Sequence, residues 1–284
     1  MPLDYQRLLA HEFPVVEQTY TERDCMLYAL SVGFGRDPLA AADLPYVYER
    51  DLRVAPTLAV ALGFRSIREA QLGIDYARVV HSEQRLTLHA PLPSAATVLC
   101  RTRVAEAVDK GEGRGAILYL ERTLHDKATG THLATSTMAA FCRGDGGFGG
   151  PVTQAPAPHA LPERAPDRVV SIALPANIAL YYRLSGDYNP LHIDPAVAAR
   201  AGFQRPILHG LQVYGEVARE ALLHDAGGDA ARFVGIDCRF TGSLYPGDTI
   251  DVSFWQQGDA LGFRVTPQGR DGVALDNGRI ALKT

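Results

Sequence analysis

Residues Tyr182–Gly210 read YRLSGDYNPLHIDPAVAARAGFQRPILHG. The stretch gathers Ser185, Asp187, Asn189, His192, Asp194 and His209 in an otherwise apolar part of the chain. Asn189-Pro190 is a turn signal, so Asp187 and His192 flank a bend that can bring a carboxylate and an imidazole to one point. An Asp ahead of Asn-Pro ordinarily caps a turn, and an isolated His is ordinarily structural, so the residue types alone leave both roles open. Just downstream, Asp194 is placed to cap a short helix with Pro195 at its first position and Gly202 past its end. A longer helix is expected over about 211–223, because Val213, Tyr214, Val217, Ala218, Ala221 and Leu222 recur on one face. Gly227-Gly228 ends it.

Strand patterns follow. Ile250, Val252 and Phe254 alternate with polar residues, Phe263–Val265 and Arg279–Lys283 continue the set, and Pro246-Gly247 marks a turn. Upstream, residues 144–167 hold five Gly and five Pro without an apolar period and read as a surface linker. The linker divides the chain into halves, 1–143 and 168–284, with the same order of elements. In the first half, Thr57–Leu62 is a short apolar helix closed by Gly63. Strands are expected at Arg85–His89, Val98–Val104, Ala116–Leu124 and Leu133–Cys142. Leu27-Tyr28-Ala29-Leu30-Ser31 echoes Tyr181-Tyr182-Arg183-Leu184-Ser185 at an offset of 154 (182 − 28). A long helix followed by an antiparallel sheet, twice over, is an α+β pattern. One helix wrapped by one curved sheet is the hot-dog arrangement, so the expected architecture is a double hot-dog.

With 284 residues, a net charge of −4 and a pI near 6.1, the chain lacks the basic balance of a nucleic-acid binder. Cys25, Cys100, Cys142 and Cys238 are far apart and lack metal-ligand spacing, so reduced, buried thiols are expected. The opening MPLDYQRLLAHEFP has no apolar signal core, and no run approaches the ~18 apolar residues of a membrane span. Leu282-Lys283-Thr284 is not the peroxisomal tripeptide. These features lead to the expectation of a soluble cytoplasmic protein.

The ordered set Asp187, Asn189, Pro190, His192, Asp194, Pro206, Ile207, His209 and Gly210 resembles the hydratase 2 motif of the MaoC-like dehydratase family, D-x-N-P-x-H-x-D followed by P-I-x-H-G. The first half resembles the N-terminal hot-dog in the hydratase 2 region of peroxisomal multifunctional enzymes type 2. The matching stretches are Val47–Val54 (VYERDLRV), Val80–Gln84 (VHSEQ), Asp109–Gly111 (DKG) and Gly146–Gly150 (GGFGG). The resemblance implies an (R)-specific enoyl-CoA hydratase of fatty-acid breakdown, converting trans-2-enoyl-CoA to (3R)-hydroxyacyl-CoA. It also implies a homodimer whose protomers keep a catalytic pair only in the second hot-dog. The offset reproduces that asymmetry: Asp187 falls opposite Gly33 (187 − 154) and His192 opposite Pro38 (192 − 154), and neither is an acid–base group. The first half is therefore expected to have exchanged its loop for room to hold the acyl chain, with Gly33 on the wall.

Hydration of the C2–C3 double bond needs an activated water, a proton for C2 and a donor for the enolate-like thioester oxygen. Asp187 as base and His192 as its partner in proton delivery suit the first two needs, with Asn189 orienting them. Gly210, at the expected start of the long helix, would offer its N–H at the positive end of the helix dipole. The resemblance assigns it that donor role. It further implies substrate contacts from His81, from Ser82 (Gly in the family pattern), from Lys110 toward phosphate, and from Tyr188, Pro190, Leu191 and Phe240. His209 is expected to fix the loop, and Arg239 receives no role. No Gly-rich nucleotide fingerprint and no nucleophile elbow occurs. No metal is expected and no cofactor, CoA being part of the acyl-CoA substrate. A (3R)-hydroxyacyl carrier-protein dehydratase could use the same residues. An acyl-CoA thioesterase usually lacks this loop, and a non-catalytic acyl-binding subunit would have lost the pair.

Overall fold

The computed structural model describes residues 3–151 and 155–283. Its strands are β1 (Val16–Tyr20), β2 (Val79–Leu88), β3 (Ala96–Asp109), β4 (Ala116–Asp126), β5 (His132–Cys142), β6 (Arg168–Ala173), β7 (Phe233–Phe240), β8 (Thr249–Gln257), β9 (Ala260–Pro267) and β10 (Leu275–Leu282). They form one antiparallel sheet in the order β1-β3-β4-β5-β2-β7-β10-β9-β8-β6. Read inward from either edge, that order gives the first, third, fourth, fifth and second strand of a half. The duplication that a five-residue echo suggested is thus written across the whole sheet, and the double hot-dog is the fold.

The halves meet at the β2–β7 ladder, where Glu83 pairs with Arg239 and Arg85 with Asp237. Glu83 is buried between Arg85 at 2.9 Å and Arg239 at 2.7 Å. Arg239 therefore neutralises a buried carboxylate at the seam. β1 and β6 are short edge strands, and β7 contains Gly235 and Asp237, which explains why periodicity misses all three.

The helices are α1 (Tyr5–Leu9), α2 (Glu22–Ser31), α3 (Leu44–Val47), α4 (Ile178–Tyr182), α5 (Pro195–Arg200) and α6 (Gly210–His224). The echo residues fall on or just after α2 and α4, which pack on each other, with the buried rings of Tyr28 and Tyr182 6.1 Å apart. α5 starts as its sequence dictates: the Asp194 carboxylate accepts from Ala196 N at 2.8 Å, and Gly202 takes a φ of +86° beyond the end. All six predicted apolar positions of α6 are buried, as are Gln212 and Glu216, so α6 is a central helix covered on nearly every side.

The expected repeat of a long helix fails in the first half. Pro56–Val60 forms only a 3₁₀ turn there, and Gly63 turns the chain at a φ of +65°. Residues 57–62 between that proline and that glycine amount to less than two helical turns. The four cysteines are free and buried. Among the described residues no helix or strand lies between Cys142 and Arg168, and no helix is long and apolar enough to cross a membrane.

Candidate active site

The bend read from Asn189-Pro190 is built by its own side chains. Asp187 Oδ1 accepts from Asn189 N at 3.2 Å, and Asn189 Oδ1 accepts from Leu191 N at 3.1 Å, opening a 3₁₀ turn over Pro190–His192. The Asn189 amide oxygen is thus engaged in shaping the turn that carries His192.

His192 Nδ1 lies 2.9 Å from the Ile207 carbonyl. A carbonyl only accepts, so Nδ1 carries the hydrogen, and Nε2 of the neutral ring is left as an acceptor. His209 Nε2 donates to the main-chain carbonyl of Asp187 at 3.2 Å, and its ring stacks on His192 with centroids 3.7 Å apart. Burial pushes the His209 pKa down to about 2, and the neighbouring His192 adds to the shift. Burial also lowers His192, against the opposing pull of the Ile207 carbonyl and Asp187. Both imidazoles are neutral at pH 7.

Asp187, His192 and His209 each place a ligand-type atom within 4.8 Å of the other two. His209, placed by the sequence only as a support of the loop, is brought by the fold beside the other two. Two imidazoles binding one ion must aim their ring planes at a common point, whereas these rings lie face to face at 29° with centroids 3.7 Å apart. The arrangement fits a hydrogen-bonded water better than a metal.

Gly210 begins α6. His209 precedes it as N-cap but gives no side-chain cap, and no acceptor among the described residues takes the Gly210 N–H. The helix thus presents free donors at its positive end. A β-carbon on Gly210 would stand 2.8 Å from two atoms of the Phe240 ring, so Phe240 requires glycine here. The Phe240 ring in turn meets His81, with centroids 4.8 Å apart.

A small cavity lined by Tyr182, Ser185, Asp187 and Leu211 is closed by Val60, Ala61 and Phe64 of the first half. Val60, Phe64 and Leu211 also line a second, larger space that continues over the first-half sheet past His81, Leu120 and Met138. It lies on the sheet face that α6 covers in the other half. No motif marks Val60, Ala61 or Phe64, and sequence reasoning missed them.

The structure brings together Asp187, His192, Gly210, Phe240 and His81. Ser82, Lys110, Tyr188, Pro190 and Leu191 line neither cavity. Ser82 donates to the Ala139 carbonyl, exposed Lys110 sits 5.1 Å from the Phe141 ring, and Tyr188 is exposed beneath Arg183. Gly33 is corrected: it lines neither cavity, has a φ of +96°, and a β-carbon there would run into the Glu216 carboxylate.

Two family models divide the chain: the MFE-2 hydratase 2 N-terminal domain matches residues 18–144 and the MaoC like domain residues 153–276. The enoyl-CoA hydratase ChsH3 of Mycobacterium tuberculosis is 36% identical over 98% of this chain and 98% of its own length. The chain belongs to the MaoC-like hydratase 2 family. The peroxisomal enoyl-CoA hydratase 2 of Arabidopsis thaliana is 35% identical, covering 94% of this chain and 92% of that protein. Mouse peroxisomal multifunctional enzyme type 2 is also 35% identical over 96% of this chain, which spans 38% of that larger protein. Among solved structures, a MaoC-like dehydratase from Phytophthora capsici superposes with a TM-score of 0.88 at 30% identity, covering 98% of each chain.

Proposed function

We propose that this family member is an (R)-specific enoyl-CoA hydratase, adding water reversibly to trans-2-enoyl-CoA to give (3R)-3-hydroxyacyl-CoA. The observation that carries this reading is the convergence of Asp187 and His192 within 4.8 Å, in the half whose α6 begins with an unpartnered N–H.

A water between the Asp187 carboxylate and His192 Nε2 would donate one hydrogen to each, which aims its oxygen lone pair at C3. As the C3–O bond forms, the water O–H breaks and its proton passes to Asp187. The C2–C3 π electrons move toward the thioester, and the Gly210 N–H receives the charge on its oxygen. Return of a proton to C2 through the Asp187–His192 pair completes the addition. Oxidation state is unchanged, so the step calls for no redox cofactor. The acyl chain would run past Val60 and Phe64 into the larger cavity, giving residues 1–143 the chain-holding part and 168–284 the chemistry, joined by 144–167.

The test is hydration of crotonyl-CoA and decenoyl-CoA, followed by loss of enoyl-thioester absorbance with chiral analysis of the product. Wild type should yield the (3R)-alcohol, and Asp187→Asn should lose at least about 100-fold in kcat. A carrier-protein thioester turned over in preference to its CoA counterpart would favour the dehydratase alternative. Free CoA release would indicate a thioesterase, and tight acyl-CoA binding without turnover a binding subunit. A homodimer acting in cytoplasmic fatty-acid breakdown is proposed alongside, and light scattering with cell fractionation tests it.

A further inference from the structure

The large cavity has a polar floor for which a plain hydrocarbon chain has no use. Thr102 on β3, Arg122 on β4 and Ser136 on β5 are register neighbours across three strands, and all three line the cavity with Gln84 of β2. The guanidinium of Arg122 donates from Nη2 to the Val60 carbonyl at 2.6 Å. No ion pair joins it to a carboxylate among the described residues, whereas the partly buried Arg36, Arg85, Arg219 and Arg239 each have one. Burial lowers the pKa of Arg122 from its ordinary value, with Cys100 and Tyr182 opposing. An arginine stays charged in proteins, and an uncompensated interior charge is costly. Arg122 makes no other side-chain hydrogen bond among the described residues, and it lines the cavity that we assign to the acyl chain.

We propose that Arg122 is a specificity residue for an acyl chain bearing a carboxylate, with Thr102 and Ser136 donating beside it, so that the preferred substrates are CoA thioesters of enedioic acids. This rests on the hydratase reading and adds the substrate class. A guanidinium meets a carboxylate through two parallel N–H···O bonds, and a methyl-ended chain leaves those donors unpaired.

The experiment compares kcat/KM for trans-2-enoyl-CoA substrates of six to twelve carbons, each with a methyl or a carboxylate end, on wild type, Arg122→Met and Ser136→Ala. At the matching length the wild type should favour the carboxylate by about 10- to 100-fold. Arg122→Met should collapse that ratio, chiefly through KM, and Ser136→Ala should reduce it in part. The wild-type ratio alone tests the idea should Arg122→Met fail to fold. Hydration of methyl-ended substrates with no carboxylate preference at any length overturns this inference and leaves the hydratase reading standing. Equal losses on both series in Arg122→Met make Arg122 a tie for Val60 and likewise overturn it. No hydration of any member removes the hydratase reading, and this inference with it.

Discussion

Gly210→Ala tests the start of α6, because its two consequences come from different atoms. The backbone of Gly210 lies outside the left-handed region, so alanine is compatible with it and, in isolation, favours the helix by up to about 1 kcal/mol. The added methyl, however, falls 2.8 Å from two carbons of the Phe240 ring. Ordinary carbon contacts lie at roughly 3.5–4.0 Å, so the ring must retreat by about 1 Å. On one side it meets His81 at 4.8 Å between centroids, which limits the retreat. Overpacking of this kind costs about 1–3 kcal/mol, which the helix gain reduces to a net loss of up to about 2 kcal/mol, or a Tm lower by up to about 8 °C at roughly 2–4 °C per kcal/mol. The same strain displaces the N–H offered to the thioester oxygen. Removing one such donor costs about 100- to 1000-fold in kcat, so a displaced one should cost about 10- to 100-fold. Absorbance-monitored hydration gives the rate, and thermal unfolding gives the stability. Gly210→Ala/Phe240→Leu should regain Tm, since the smaller side chain yields. A single variant with wild-type kcat and Tm would refute both the steric and the donor argument. An unrescued Tm in the double variant would refute the ring contact alone.

The other predictions concern the supports of the site. His209 has its pKa held at about 2 against an ordinary 6.5, so the unfolded chain binds its proton first. Its contribution is fully present above pH 6.5 and is lost as pH falls from there toward 2; the Tm advantage of wild type over His209→Gln should therefore shrink between pH 7 and 5, and parallel Tm curves would contradict it. Arg219 bridges to Asp43, whose side chain is 1% exposed, and Arg219→Ala leaves that carboxylate buried and unpaired. Urea unfolding should show a loss of about 3 kcal/mol, largely recovered in Asp43→Asn/Arg219→Ala; no recovery would locate the cost elsewhere. Met138 lines the large cavity, so Met138→Trp should slow decenoyl-CoA far more than crotonyl-CoA; equal slowing would mean the acyl chain lies elsewhere.

The glycine at 33 shows where alignment by offset stops being informative. The offset identifies it as the counterpart of Asp187, and the loss of acid–base groups from that loop is plain in the residues. What occupies the vacated place is not plain. Glu216 of α6 reaches toward Gly33 and pairs with Arg36, while Arg219 one turn on pairs with Asp43. The first-half loop is thus clamped to the central helix, and the acyl space opens instead beneath the 3₁₀ turn at Pro56–Val60.

The sequence by itself determined the elements whose causes are local. The Asn189-Pro190 bend, the Asp194 cap, the apolar faces of α6 and the alternation in β8 all arise from residues a few positions apart, so their spacing can be read directly. The pairing of Asp187 with His192 was legible for the same reason. Only the tertiary structure decided the rest. The His209 contact to Asp187 spans 22 residues, the Glu83–Arg239 seam spans 156, and the cavity joins Val60 and Phe64 to Leu211. A cavity is defined by side chains that fail to meet, and no local pattern records which distant surfaces will be left facing one another once the sheet closes.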